Sequence, residues 1–306
     1  CSGKLIFMAF LSIIIAAHNA KETLHTTLES LPNAIEGAGD DVEIIIFNDS
    51  SNDSTQDIIE AWLPAFPNAQ SRYVEYRNVG LVRSSALSLA SGEYITMLDS
   101  DDRLKPGSIR DAVAFLKTER PDMLLTRLLE IRDTKKMTAE WQGFSPVALS
   151  QHEAIKRFLQ HKDFQAHLIG QFIHRKLYES NPIPSMVCYE DFAVFPAMLM
   201  QAEKICYQRQ GHYYYIKRSE SLSSRLDATK IATLVECTLQ MEKTFPRSFQ
   251  HLVNCHWFDI YRNHRQHLTD LQLKLVKQRV NALYSLSFFF SRDVRFSYKK
   301  RVIEAL

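Results

Sequence analysis

Four short apolar runs rich in β-branched residues, at 10–16, 42–48, 72–76 and 94–98, alternate with segments of helical period at 21–31, 53–66 and 80–90. The second helical segment has a start signal: Asp53-Ser54-Thr55 precedes Ile58, Ile59, Trp62 and Leu63, an apolar stripe at three- and four-residue steps. Strand–helix–strand units of this length imply parallel pairing through right-handed crossovers. The pattern therefore predicts an α/β fold with a mostly parallel sheet flanked by helices. Ligands in such a sheet bind outside the carboxyl ends of the strands, near the point where strand order reverses. The residues to inspect are those just after each strand: His18-Asn19, Asp49-Ser50-Ser51, Arg77-Asn78 and Asp99-Ser100-Asp101-Asp102.

The first run belongs to a longer apolar stretch, residues 5–17, preceded by Lys4 and broken by Ser12. A signal-peptide core would look similar, and Cys1-Ser2-Gly3 suggests a lipoprotein end. Thirteen residues fall short of the roughly 20 that span a bilayer. A completely buried central strand needs such a run, and that reading is preferred, with Cys1 taken as a processing remnant. The five cysteines are widely spaced, with no C-x-x-C pair, which argues against a disulfide framework or structural zinc and for a reducing compartment.

Beyond Lys105-Pro106-Gly107, a helix start, the pattern is mixed. A strand is expected at 122–132, helices at 151–160 and 191–201, and two strands at 203–208 and 212–217. From Ala228 on the period is helical, implying three or four helices packed on the α/β body. The expected division is 1–104 and 105–225 as two halves of one domain, which the resemblance described below implies to be a donor and an acceptor half, and 226–306 as a basic helical region.

The fourth strand runs into three carboxylates within four residues, Asp99, Asp101 and Asp102. Like charges this close repel unless a cation or cationic ligand neutralises them. Carboxylate oxygens suit Mg²⁺ or Mn²⁺, which bind one or two carboxylates together with substrate phosphates. The bland alternative is a solvated acidic turn with Asp102 capping the next helix. A D-x-D phosphatase is a poorer match, because its motif usually lies on the first strand. An EF-hand is excluded by the spacing, which Arg103 and Leu104 break.

Taken together and in order, these residues resemble the family 2 inverting glycosyltransferases of the GT-A fold, a Rossmann-like α/β architecture, here with a C-terminal helical region. The resemblance is carried by Leu11-Ser12-Ile13-Ile14-Ile15-Ala16-Ala17-His18-Asn19, Asn48-Asp49-Ser50-Ser51-Asn52-Asp53-Ser54-Thr55, Asn78-Val79-Gly80-Leu81-Val82-Arg83, Ala90-Ser91-Gly92-Glu93-Tyr94-Ile95 and Asp99-Ser100-Asp101-Asp102. It implies donor-binding roles. Asp49 would accept a hydrogen bond from a nucleotide base, with Ala17 and His18 lining the same pocket. Arg83 would lie near base and phosphates, Asp99 and Ser100 at the sugar side, and Asp101 would be the ligand of Mn²⁺ or Mg²⁺. The sequence departs from the family at Ala16 for proline, Asn48 for an acid, Ser50 for glycine, and Ser84 and Ala86 for asparagine and glycine, which leaves the donor base open.

On the acceptor side, Tyr189-Glu190-Asp191-Phe192 resembles the family's E-D motif, implying Asp191 as catalytic base and Glu190 as its support or an acceptor contact. A helix N-terminus also favours acidic residues for structural reasons. The segment His212 to Ser223 resembles the family's aromatic strand and basic, serine-rich loop, with Lys217 or Arg218 supplying charge to the diphosphate. His212 is a candidate further metal ligand or a structural residue, Tyr213 to Tyr215 are expected to alternate between core and cleft, and Trp141 is open between sugar stacking and core.

Overall charge is +2, from 37 basic and 35 acidic residues, which excludes a polycation built for nucleic acid. Residues 247–306 nevertheless hold 11 Lys/Arg against 4 Asp/Glu, a local +7, with Trp257, Phe258, Phe288, Phe289 and Phe290 among them. Either this is a solvated basic face over core aromatics or an oligomer contact, or it is a peripheral membrane surface. The resemblance thus implies a cytoplasmic enzyme, at the inner face of the membrane in the second case. It would move sugar from a nucleotide sugar, a UDP-sugar, to a glycan or glycolipid in bacterial surface polysaccharide synthesis (capsule, lipopolysaccharide or related). The alternatives are a non-catalytic binding module of the same fold and the D-x-D phosphatase.

Overall fold

The computed structural model describes residues 8–218 and 227–304. Within them nine strands form one sheet in the order β3-β2-β1-β4-β8-β6-β9-β5, with β7 paired to β9. The first four are β1 (Leu11–Ala17), β2 (Val42–Asp49), β3 (Ala69–Val74) and β4 (Tyr94–Asp99), all parallel. Between them run α1 (Leu24–Ile35), α2 (Thr55–Trp62) and α3 (Val79–Leu89). The expected parallel unit is therefore present. The sheet continues as a mixed one: β8 (Phe172–His174) runs antiparallel to β4 and to β6 (Met123–Ile131), which is parallel to β9 (Ile205–Ile216). Two short strands, β5 (Arg103–Leu104) and β7 (Val147–Leu149), lie antiparallel to β9.

β1 is central and wholly inside, with Leu11, Ile13 and Ile15 sealed from solvent. Its one polar residue has a purpose. Buried Ser12 donates to Glu43 Oε1 on β2 at 2.6 Å, and the same oxygen takes the N–H groups of Ser91 and Gly92 ahead of β4. Both buried polar groups are thereby satisfied, as interior packing requires. A side chain at Gly92 would collide with Ser12, so this corner admits no larger residue. The stretch that resembled a signal-peptide core is thus a buried strand over Leu11–Ala17; Cys1 lies outside the described residues.

Several bounds differ from expectation: α1 lies three to four residues later than 21–31, and β3 starts at Ala69 rather than at residue 72. β3 ends at Val74 rather than at residue 76, because the backbone N–H groups of Tyr76, Arg77 and Asn78 turn towards the Asp49 carboxylate instead of a strand partner. The two strands expected at 203–208 and 212–217 are one twelve-residue strand, β9. Gly211 lets it pass close to Leu129 and the Arg127 carbonyl, beside the register shift at Thr126/Leu128 on β6.

The helices that follow β4 are α4 (Ser108–Glu119), α5 (Gln151–Leu159), α6 (Arg175–Ser180) and α7 (Glu190–Gln201). Five further helices follow among the described residues, more than the three or four expected: α8 (Ala228–Thr244), α9 (Gln250–His264), α10 (Asp270–Asn281), α11 (Leu286–Phe290) and α12 (Phe296–Glu304). They share one apolar core with the sheet, to which Trp257, Phe258 and Phe288 contribute. No described helix is long and apolar enough to cross a membrane.

Candidate active site

Register sets the geometry. Asp99 at the end of β4 pairs with Ala16, and Ala17 pairs with Asn48, so the loops after β1, β2 and β4 open at one edge of the sheet. Ala17 itself is buried. His18 is exposed, and its Nδ1 lies 2.6 Å from the Asp49 carbonyl oxygen. Thr23 of the β1–α1 turn donates to the Ser100 carbonyl at 2.8 Å, tying that turn to the acidic loop.

Asp49 is an anchor. Its Oδ1 accepts from the N–H groups of Tyr76 and Arg77, each at 2.8 Å, and from Ser50 Oγ at 2.9 Å; Oδ2 accepts from Asn78 N–H at 3.1 Å. Burial would raise its pKa, but these bonds, Arg77's first, outweigh that and hold it below the usual value. Oδ2, with one donor against three on Oδ1, is the oxygen with capacity left for a further donor. Ser50, standing where the resembled family has glycine, adopts a left-handed backbone at φ 55°, a conformation costing a non-glycine residue about 1 kcal/mol.

The ligand oxygens of Asp99, Asp101 and Asp102 lie within 4.8 Å of one another, but the three differ in role. Asp102 is fully buried and caps no helix. It accepts from Tyr213 Oη at 2.6 Å and from Ile216 N–H at 2.8 Å, fastening the end of β9 to the acidic loop. Burial and Asp99 push its carboxyl up to about 8, against those two hydrogen bonds. Tyr213 Oη also accepts from the Asp99 N–H at 3.0 Å. Asp99 and Asp101 remain for a cation. Burial, then the charge of Asp99, raises the Asp101 carboxyl, with Arg218 lowering it from 3.9 Å. Asp99 is paired with Arg83 and Asp101 lies near Arg218, and both still present carboxylate oxygens of the kind a hard divalent ion takes.

Arg83 joins this cluster to the start of α7. It is buried on α3; Nη2 lies 3.0 Å from Asp99 Oδ1 and Nη1 pairs with Glu190 Oε1. Burial disfavours its charge, but Asp99, Glu190 and Asp191 together hold it protonated. Gly80 permits the approach. The first turn of α3 presses on the 184–186 segment that leads into α7, Gly80 N–H donating to Met186 O at 2.9 Å, and a Cβ there would strike the Pro184 carbonyl. Glu190 is buried; burial raises its carboxyl despite Arg83, and Asp191 adds to the rise. Glu190 is thus held inside by Arg83. Its neighbour Tyr189, at φ 62°, is strained just where the acidic pair begins.

Asp191 is partly exposed, with Oδ2 3.5 Å from His167 Nδ1 and Oδ1 accepting from the Phe192 N–H at 2.7 Å. His167 in turn stacks on Tyr215, ring centroids 6.5 Å apart. Sequence reading missed His167. It sits in an aperiodic connection before β8, and no motif marks it. The three tyrosines alternate in direction, Tyr213 towards the acidic loop and Tyr215 towards His167 while Tyr214 bonds Thr138, but Tyr213 is fully buried and only Tyr215 is partly open.

Other candidates lie elsewhere. Lys217 pairs with Glu130 on β6 at 2.8 Å rather than with the acidic loop, whereas Arg218 reaches Asp101. His212 is sealed among Trp141, Phe144 and Phe172, outside the acidic cluster, which makes it structural. Trp141 donates to Asp111 at 2.8 Å and packs on Phe144. The serine-rich loop after Arg218 lies outside the described residues.

A family model described as glycosyl transferase family 2 matches residues 12–180, which contain the acidic loop and Arg83. The chain belongs to glycosyltransferase family 2. Its fold matches TarS 1-349 of Staphylococcus aureus, solved with UDP-GlcNAc, at a TM-score of 0.66 and 20% identity over 89% of this chain and 79% of that one. A mannosyltransferase from Pyrobaculum calidifontis, solved with GDP-Man and Mn²⁺, matches at a TM-score of 0.60 and 13% identity, covering 98% and 80%. Both are likenesses of fold, and they bear out the GT-A architecture with its helical C-terminal region. Among curated relatives, the UDP-Glc:alpha-D-GlcNAc-diphosphoundecaprenol beta-1,3-glucosyltransferase WfaP of Escherichia coli is 38% identical over 118 residues, 37% of this chain and 43% of that protein. The chain aligns with less than half the length of the first curated relatives it matches. The family match sets the phosphatase reading aside.

Proposed function

We propose that this chain is a metal-dependent inverting glycosyltransferase. It would move sugar from a nucleotide sugar, a UDP-sugar, to a hydroxyl of a glycan or glycolipid acceptor in bacterial surface polysaccharide synthesis, acting at the cytoplasmic face of the membrane. The family supports the reaction class. WfaP, named for a diphosphoundecaprenol-linked acceptor, and TarS, solved with UDP-GlcNAc, support the choice of substrates. One observation carries the reading: Arg83 ties Asp99 of the acidic loop to Glu190, next to Asp191, so carboxylates from the two halves of the chain meet at a single buried cation.

In this reading residues 1–104 hold the donor and residues 105–225 the acceptor. Asp49 Oδ2 accepts from the base N–H, and His18 and the backbone of Ala17 line the nucleoside side. Asp101, with Asp99, holds the Mn²⁺ or Mg²⁺ ion, which when bound supplies positive charge against the donor diphosphate. Asp99 and Ser100 face the sugar, and Arg218 adds charge at the same edge. The acceptor oxygen attacks the anomeric carbon from the face opposite the diphosphate. The new C–O bond forms as the bond to phosphate oxygen breaks, and Asp191 takes the hydroxyl proton. A positioned base contributes about 10²–10⁴-fold, and charge compensation at the leaving group a comparable share.

The test is a panel of UDP- and GDP-sugars, with and without Mn²⁺, scored for nucleoside diphosphate release and for donor binding. Mn²⁺-dependent binding of a UDP-sugar with release of UDP is expected. Hydrolysis of phosphomonoesters with no diphosphate release, or no binding of any sugar nucleotide, would reject the reading.

A further inference from the structure

The C-terminal end of the chain is firmly seated on one face and strongly apolar on the other. On the inner face Phe288, Val294, Tyr298 and Val302 are buried, Tyr298 Oη donates to Asp259 of α9, and Lys156 of α5 pairs with Asp293 at 2.6 Å. On the sides of α11 and α12 turned away from that core, Leu286 is 77% exposed, Phe290 82%, Phe296 80% and Ile303 56%. Helical period groups them: Leu286 and Phe290 are one turn apart on α11, and Phe296 and Ile303 two turns apart on α12 with Lys300 between. Trp257, Phe258 and Phe288, which the sequence offered as part of a membrane surface, belong to the core. The exposed apolar set is thus smaller and farther towards the C-terminus than composition suggested.

Charge decides what covers it. Residues 284–304 hold five basic side chains (Arg292, Arg295, Lys299, Lys300, Arg301) and two acidic ones (Asp293, Glu304), a net +3. Both acids already face lysines, Asp293 at Lys156 and Glu304 at Lys300. Among the described residues Arg292 and Arg295 have no carboxylate within ion-pair distance. A second copy would bring the same positive charge against this one. An anionic surface with an apolar interior complements both features.

We propose that α11 and α12 dock on an anionic lipid bilayer, with Leu286, Phe290, Phe296 and Ile303 inserted below the headgroups and Arg292, Arg295 and Lys300 at the phosphate level. The inference rests on the reading of the acceptor as membrane-linked, and it names the surface that would bring the enzyme to it. The test is co-sedimentation of the full chain with phosphatidylcholine vesicles and with vesicles containing phosphatidylglycerol. Binding is expected to the anionic vesicles, to weaken with salt, and to fall at least ~10-fold in the Leu286→Ser/Phe290→Ser/Phe296→Ser variant. These side chains are exposed, so the variant should keep the wild-type Tm. The Arg292→Gln/Arg295→Gln/Lys300→Gln variant should lose the preference for anionic lipid.

Equal pelleting of the serine variant would overturn the proposal. So would light scattering that shows a wild-type dimer which that variant dissociates, because a second copy would then cover the face. UDP release from a UDP-sugar in solution, measured on the same proteins, separates the two readings. Vesicle binding without turnover in any protein would sink the enzyme assignment and leave the docking surface standing; turnover without vesicle binding would do the reverse.

Discussion

Asp99 and Glu190 share one guanidinium: Arg83 gives Nη2 to the first, at 3.0 Å, and Nη1 to the second. All three belong to different elements, so this cation fixes how α3, the end of β4 and the start of α7 sit together. Removing it leaves a buried carboxylate whose pKa burial already raises. Breaking a buried pair by deleting one partner costs about 3–5 kcal/mol. Arg83→Met should therefore lower stability by about 3 kcal/mol in denaturant titration, and Arg83→Met/Glu190→Gln should recover part of the loss. A double variant no better than the sum of its parts would show that the pair is not coupled.

Asp191 and His167 are separable by kinetics. Asp191→Asn should leave donor binding intact while transfer falls at least ~100-fold, following the general-base range; near-normal turnover would reject Asp191 as the base. His167 touches Asp191 at 3.5 Å and does not reach the acidic loop in the same way. His167→Ala should lower kcat by roughly tenfold, a modest part of that range, with donor affinity unchanged. His167→Gln should restore part of the rate if the histidine orients the carboxylate. A change in donor affinity without one in kcat would place His167 on the donor side instead.

The acidic loop makes a contrasting pair of tests. Asp101→Ala should abolish the Mn²⁺ dependence of UDP binding, and equal affinity with and without Mn²⁺ in the wild type would refute its ligand role. Asp102 serves the fold. Asp102→Ala strands two buried donors, Tyr213 Oη and Ile216 N–H. The expected loss is about 1–3 kcal/mol of stability for such unsatisfied groups, with metal-dependent binding retained at a temperature where the variant is folded.

Local pattern sufficed wherever burial and period agree. β1, β2 and β4 are continuous apolar runs because both faces are covered, and their ends fell within one or two residues of expectation. The acidic loop and the E-D pair were legible for the same reason: each begins where such an element ends or starts. What period could not show was long-range. β3 is a half-exposed edge strand whose end is set by the Asp49 carboxylate, and that contact leaves no trace in hydropathy. The two predicted C-terminal strands are joined because Gly211 can lie against β6, a fact about a neighbour rather than about 205–216. His167 was invisible because its meaning comes from Asp191, on another element. The Lys217 assignment carried charge but not direction, and Glu130 supplied the direction.

His212 offers a test of stability that leaves the acidic cluster untouched. It is fully buried on β9, and among the described residues neither ring nitrogen has a hydrogen-bond partner. Phe172 stacks on it at 5.2 Å, with Phe144 at 5.8 Å and Trp141 at 6.3 Å. Burial, then the charge of Lys105, depresses its pKa from 6.5 to about 3. Between those values the unfolded chain binds a proton that the folded chain does not, so stability present above pH 6.5 is lost as pH falls towards 3. At about 1.4 kcal/mol per pH unit, acidification to pH 5 removes roughly 2 kcal/mol through this one group. His256, partly buried and also depressed to about 3, contributes with the same sign. Phenylalanine fits an aromatic box and brings no unsatisfied nitrogen. His212→Phe should therefore raise stability at pH 7.5 by about 1 kcal/mol and flatten the fall in Tm between pH 6.5 and 5. His256→Phe should remove part of the slope that remains. Parallel Tm-against-pH curves for wild type and His212→Phe would mean that the ring is protonated in the folded chain, and the buried neutral histidine would have to be abandoned.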